Sequence, residues 1–175
     1  MKKTLICIDM QVDFLTGSLA NPAAAAIAEP MAEYIKNFDG NIIFTRDTHF
    51  DDYLQTQEGK NLPIPHCIYG TEGFEIATAL GAAAEKKGWE HIQVVNKFAF
   101  GDIKRLVGET DLEEADEIYL CGTCTDICVV SIGLNLKAAY PETKMYCIAN
   151  LCAGLTPKKH AAALEVMKSC QIEVI

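Results

Sequence analysis

Apolar and polar positions follow a repeating rhythm along the chain. Short apolar runs at Leu5–Ile8, Asn41–Thr45, His91–Asn96, Glu117–Cys121, Lys144–Ala149 and Gln171–Ile175 are separated by stretches of helical spacing. The runs are rich in β-branched residues and read as strands buried on both faces. Helical patterns cover Pro22–Phe38, Gly73–Lys87, Asp102–Gly108, Asp126–Ala139 and Pro157–Ser169. Asn21-Pro22 and Thr156-Pro157 supply helix openings, and Gly40 and Gly88 supply helix ends. Strand and helix in alternation predict an α/β fold, a three-layer αβα sandwich around a six-stranded parallel sheet of the Rossmann-like kind. At 175 residues the chain suits one domain over 1–175, enough to bury about two-thirds of its unfolded surface.

One segment interrupts the rhythm. From Asp47 to Gly70 no clear periodicity holds, and a loop of that length inside a compact domain points to function. It carries Asp47, His49, Glu58 and His66.

Charge and composition narrow the classes of partner. Fifteen basic residues against 24 acidic give a net charge of −9, with no lysine block longer than a pair, which argues against a nucleic-acid partner. The apolar run after Met1-Lys2-Lys3-Thr4 stops at Asp9, too short for the core of a signal peptide, and no run approaches the roughly 20 apolar residues of a membrane span. The expectation is a soluble, cytoplasmic protein without a membrane partner. Of the eight cysteines, Cys7, Cys121 and Cys147 sit inside strand patterns as small hydrophobes, reduced in a cytosol. Cys121, Cys124 and Cys128 form the one cluster, open to a metal, iron–sulfur or redox-sensor reading, but no second cysteine pair follows.

Ligands of open α/β sheets bind beyond the carboxyl ends of the strands. Asp9 ends the first run, Asp47 the second and Lys97 the third. Cys128 follows the fourth in the first turn of a helix, where unpaired N–H groups and the helix dipole favour a thiolate. Each has an ordinary alternative as a cap, a strand-end charge or a buried hydrophobe; their common placement favours a site. A thiol attacking a carbonyl needs a base, a positive charge and donors for the oxyanion, which Asp9, Lys97 and the backbone of the 124–128 turn supply in that order. Burial would raise the pKa of Asp9 toward that of a useful base, while Lys97 would oppose the rise; the sequence leaves that balance open.

The ordered set Ile8-Asp9-Met10-Gln11-Val12-Asp13-Phe14, Thr45-Arg46-Asp47-Thr48-His49, Lys97 and Gly122-Thr123-Cys124-Thr125-Asp126-Ile127-Cys128-Val129 resembles the isochorismatase-like cysteine hydrolase superfamily, in particular its nicotinamidase-like branch. The resemblance implies an Asp9–Lys97–Cys128 triad, a cis peptide at Thr123–Cys124, an oxyanion hole from the N–H groups of Cys124 and Cys128, and a thioester on Cys128. It also implies a divalent metal ion, zinc, iron or manganese, on residues matching Asp47, His49 and His66, near the substrate's ring nitrogen. Gln55 stands where many relatives have a further histidine, and the Glu58 carboxylate is the candidate replacement. No organic cofactor is implied. Phe14 matches a pocket aromatic, Phe98 or Phe100 offers a second wall, and Leu62-Pro63-Ile64-Pro65 replaces the aromatic that usually precedes the metal histidine. The expected reaction is hydrolysis of a small flat amide, with nicotinamide the leading candidate, giving nicotinate and ammonia as in pyridine nucleotide salvage. Hydrolysis of another small amide or ureido compound, an isochorismatase-type reaction, and a non-catalytic thiol or metal sensor are the alternatives. The resemblance suggests a homo-oligomer, and Ala23–Ala28 and Ala82–Ala84 offer small faces for packing against a helix or a subunit.

Overall fold

A computed structural model describes residues 1–175. In chain order the elements are β1 (Lys3–Ile8), α1 (Val12–Leu15), α2 (Pro22–Asn37), β2 (Asn41–Asp47), α3 (Gln57–Asn61), α4 (Thr78–Lys87), β3 (Ile92–Lys97), α5 (Ile103–Gly108), β4 (Glu117–Thr123), α6 (Val130–Ala139), β5 (Lys144–Ala153), α7 (Pro157–Ser169) and β6 (Glu173–Val174). The six strands form one parallel sheet in the order β3-β2-β1-β4-β5-β6. The expected αβα sandwich is therefore what the chain adopts. Leu5, Ile6, Cys7 and Ile8 of the central β1 are all fully buried, as a strand covered on both faces requires.

Strand order reverses direction between β1 and β4, and there the chain can open a crevice at the carboxyl edge. The helices are set by ordinary local chemistry. Asn21 accepts from the Ala23 N–H at the start of α2, with Pro22 in the first turn, and Ala24, Ala28, Met31, Ala32 and Ile35 make its buried stripe. That stripe packs beside α4, which buries Leu80, Ala83 and Ala84. Small residues in both helices are thus used inside the fold, while Ala23, Ala25 and Ala26 stay exposed. No helix is long and apolar enough to cross a membrane.

Three boundaries differ from the periodicity. The helix expected from Gly73 starts at Thr78, because Glu72–Phe74 closes a separate 3-10 turn. β5 runs on to Ala153: after an irregularity between Leu120 and Gly122, Cys152 and Ala153 pair again with Gly122 and Thr123. The helix expected from Asp126 opens as a wide π turn over Thr125–Val129 before α6 begins. The long segment after β2 is folded too, by a 3-10 turn at Tyr53–Gln55, α3, and an isolated bridge between His49 and Ile68.

Candidate active site

Two carboxyl ends create the site's floor. Gly122 has φ +124, and a Cβ there would run into the Ile8 carbonyl oxygen, so β4 can approach the end of β1 only with glycine at this position. The next peptide, Thr123–Cys124, is cis, and the π turn that follows carries Cys128 back over β1. Just past β1, Asp9 occupies the left-handed region at φ +51, a conformation that costs a non-glycine residue about 1–2 kcal/mol. Its N–H is held by the Thr45 carbonyl at 3.2 Å, and the Thr45 hydroxyl donates to its Oδ1 at 2.6 Å.

Lys97, buried at the end of β3, joins the parts. Its Nζ lies 2.9 Å from Asp9 Oδ2, 2.9 Å from Asp47 Oδ1 and 3.5 Å from Cys128 Sγ. The ammonium sits beside Asp9 Oδ2 rather than in line with it, so this oxygen accepts no well-aligned hydrogen bond. Burial raises the Asp9 carboxyl above its ordinary range; Lys97 opposes the rise and Asp47 adds to it. Burial opposes the charge on Lys97 as well, but Asp9 and Asp47 outweigh it and hold the ammonium well above the usual lysine range. At Asp47 burial is again the largest effect, yet Lys97 and the hydrogen bonds to His49 and His66 overcome it and keep the carboxylate well below normal.

The thiolate expected from the helix-start position of Cys128 is not the resting form. Burial pushes the thiol well above its ordinary range; Lys97 pulls the other way, but Asp9 and Asp47 reinforce the rise. Desolvation exceeds the pull of a turn's N–H groups here. The protein thus holds a neutral thiol beside a carboxylate and an ammonium. The cysteine cluster does not gather: Cys121 turns into the sheet with its Sγ 3.6 Å from that of Cys7, leaving no shared sulfur site with Cys124 and Cys128.

Beside the triad, ligand-type atoms of Asp47, His49, Glu58 and His66 lie within 4.8 Å of one another. Asp47 Oδ2 is 3.1 Å from His49 Nε2 and 3.5 Å from His66 Nε2, and Glu58 Oε1 is 3.6 and 3.8 Å from the same two nitrogens. His66 Nδ1 donates to the Ile64 carbonyl at 2.8 Å, which orients the ring and turns Nε2 toward the Asp47 and Glu58 carboxylates. Two imidazoles and two carboxylates gathered this closely could hold a divalent ion. Asp47 divides its oxygens, Oδ1 to Lys97 and Oδ2 to this cluster.

Several residues that position the site had no assigned role from the sequence. Gln11, fully buried, accepts from the Asp47 N–H at 2.7 Å and donates to the Asp47 and Phe74 carbonyls at 2.9 and 2.8 Å. Asp13 accepts from the Cys67 N–H at 2.8 Å, next to His66. His49 N–H donates to the Cys67 carbonyl at 3.0 Å, drawing the two histidines together. Tyr53, also buried, packs its ring edge-on against both imidazoles, with centroids 4.7 and 5.1 Å away. Asp9, Gln11 and Asp13 thus fall at alternate positions of one segment, a polar alternation just past the apolar run Leu5–Ile8.

A cavity of about 520 Å³ opens above this floor. Thr123, Cys124 and Cys128 form its base, Asp47, Glu58 and His66 one wall, and Phe14 and Phe100 part of the apolar wall, while Asp9 and Lys97 lie beneath. Phe98, expected as a possible wall, faces outward instead: it is 45% exposed, beside Phe50 and under the Arg105 guanidinium. Leu62 reaches the cavity in place of an aromatic, and Ile64 does not.

A family model described as the isochorismatase domain matches residues 3–175. The nicotinamidase/pyrazinamidase of Mycobacterium tuberculosis is 25% identical over 99% of this chain and 98% of its own length. Among solved structures, the nicotinamidase/pyrazinamidase of Bacillus subtilis superposes with a TM-score of 0.80 at 30% identity, covering 99% of each chain. The pyrazinamidase of Pyrococcus horikoshii, solved in complex with zinc, gives a TM-score of 0.82 at 27% identity, covering 100% of this chain and 99% of that one.

Proposed function

Since the chain belongs to the isochorismatase domain family, we propose that it is a cysteine-dependent amidohydrolase of nicotinamide-like carboxamides, with nicotinamide itself giving nicotinate and ammonia. One observation carries the reading most: Lys97 Nζ stands 2.9 Å from Asp9 Oδ2 and 3.5 Å from Cys128 Sγ, with Cys128 in the cavity base and the other two buried beneath it.

In this reading Asp9 takes the thiol proton as Cys128 Sγ attacks the amide carbon. The rise in the Asp9 pKa makes it a better base, and Lys97 stabilises the thiolate as it forms. N–H groups of Cys124 and Cys128 receive the developing oxyanion. Collapse expels the amine with the proton from Asp9 and leaves a thioester on Cys128. Water then adds to the thioester carbon, giving a proton to Asp9, and the sulfur leaves and recovers its proton. Asp47, His49, Glu58 and His66 would hold a divalent ion, which supplies Lewis acidity and a fixed point for the substrate or a water. The relatives' names support the amide, and the zinc of the Pyrococcus structure supports the ion.

Ammonia release from nicotinamide by the purified protein tests this. Turnover is expected, lost on chelation and restored by zinc, iron or manganese; no release by metal-loaded protein would remove nicotinamide as the substrate.

The pH profile follows from Asp9. It must be ionised to take the thiol proton, and its pKa is raised, so the acidic limb of kcat/KM should lie above the ordinary aspartate value of 3.8. The Thr45 hydroxyl favours the ionised form, so Thr45→Val should move that limb to higher pH. A limb that stays in place at saturating metal would assign it to another group.

A further inference from the structure

The cavity is larger than the reaction needs. A single aromatic carboxamide displaces roughly 100–150 Å³, the share of four to five waters at about 30 Å³ each, and so fills less than a third of the space above the floor. Beyond the base and the metal wall the lining holds the polar Asn21, Gln57 and Asn61, together with an apolar group drawn from separate parts of the chain: Leu19, Leu62, Phe100, Ile127 and Leu155. Leu155 is 49% exposed and Phe100 43%, which makes this collar an open apolar surface at the mouth of a site.

The collar is also rigidly held. Leu155 N–H donates to Asp126 Oδ1 at 2.9 Å, and the preceding Gly154 carbonyl accepts from Asn21 Nδ2 at 3.0 Å. Leu19 N–H donates to the Asp13 carbonyl at 3.0 Å. Leu62 donates its N–H to the Glu58 carbonyl at 2.8 Å and accepts from the Tyr53 hydroxyl at 2.9 Å. Beside Phe100, the Gly101 carbonyl accepts from Asn135 Nδ2 at 2.8 Å. A backbone fixed this way does not have to be ordered when a ligand binds. Charged groups are confined to the metal wall, so nothing on the collar would reward a charged substituent.

We propose that this collar is a subsite for an apolar substituent carried by the substrate on the side away from its carboxamide, so that alkyl-extended aromatic carboxamides are better substrates than the unsubstituted ring. The inference rests on the amide hydrolysis proposed above and names the substrate class within it. Nicotinamides carrying methyl, ethyl, propyl or butyl groups at ring positions 5 and 6 form the test series. In at least one of the two positions kcat/KM should rise by about fourfold per buried methylene, mainly through KM. Leu155→Asp, with Leu19→Asp as a second variant, should pull the ratio of the butyl to the unsubstituted compound down toward one. If nicotinamide is hydrolysed but rates are flat or fall with chain length in both positions, the subsite is overturned and the amidase reading stands. A ratio unmoved by both substitutions would also overturn it. Failure to hydrolyse any member would overturn both readings.

Discussion

Cys128→Ala protein is expected to lose about 10⁴–10⁶-fold in kcat for amide hydrolysis while keeping its fold. The size of the effect follows from the route: without Sγ there is no thioester, and a one-step attack by water must proceed with Asp9 buried below the floor, out of the cavity. The remaining oxyanion donors and the binding walls would still leave some acceleration over water. Stability should change little, because the substitution removes one sulfur at the cavity edge and frees Lys97 from a partner that carries no charge at rest. Initial rates of ammonia release and a thermal melt check both halves. Residual activity within tenfold of the parent protein would mean that the ion cluster, rather than the thiol, delivers the nucleophile.

Lys97→Met should give the largest loss of stability. The replacement keeps the length of the side chain but leaves the Asp9 and Asp47 carboxylates buried without their common cation, a situation that costs about 3–5 kcal/mol. The penalty has a pH signature. With Lys97 gone, the folded-state pKa of Asp9 rises further above its unfolded value. The folded state then binds the extra proton, and the lost stability is recovered as pH falls through that raised pKa and is greatest at neutral pH. Urea unfolding at neutral and mildly acidic pH measures it. A pH-independent penalty would show that the loss comes from packing. Activity should fall by about 10²–10³-fold in protein that remains folded, since the charge that stabilises the forming thiolate is absent.

The sheet was legible because the inner strands carry consecutive apolar residues, Leu5–Ile8, Ile42–Phe44 and Ile118–Cys121, and doubly buried parallel strands leave that mark without any need of partner information. Asp9, Asp47 and Lys97 were legible for a related reason: a charge that ends such a run is placed on the edge where sites form. The turn at Cys128 was legible in position but not in charge state, because the local argument counts nearby N–H groups and cannot see how completely the fold buries the sulfur, or that Asp9 and Asp47 add to the effect. Gln11 and Asp13 were hidden for want of partners, since what each one clamps lies 36 and 54 residues away. The exposed face of Phe98 depends on Phe50 and Arg105, again beyond any local pattern. The collar was least visible of all: leucines in turns have no periodicity, and only the hydrogen bonds around Leu19, Leu62 and Leu155 distinguish them from ordinary loop residues.

The split of the Asp47 carboxylate, one oxygen to Lys97 and one to the histidines, ties two chemistries to one charge. An ion that draws on Oδ2 weakens what Oδ1 offers the ammonium and leaves Lys97 freer to favour a charged sulfur. By reciprocity, whatever factor the ion adds to thiolate formation, thiolate formation adds to the affinity for the ion. With an ion bound there, metal content and the alkylation rate of Cys128 would be two readings of a single equilibrium, and a preparation short of metal would present itself as one with a sluggish cysteine.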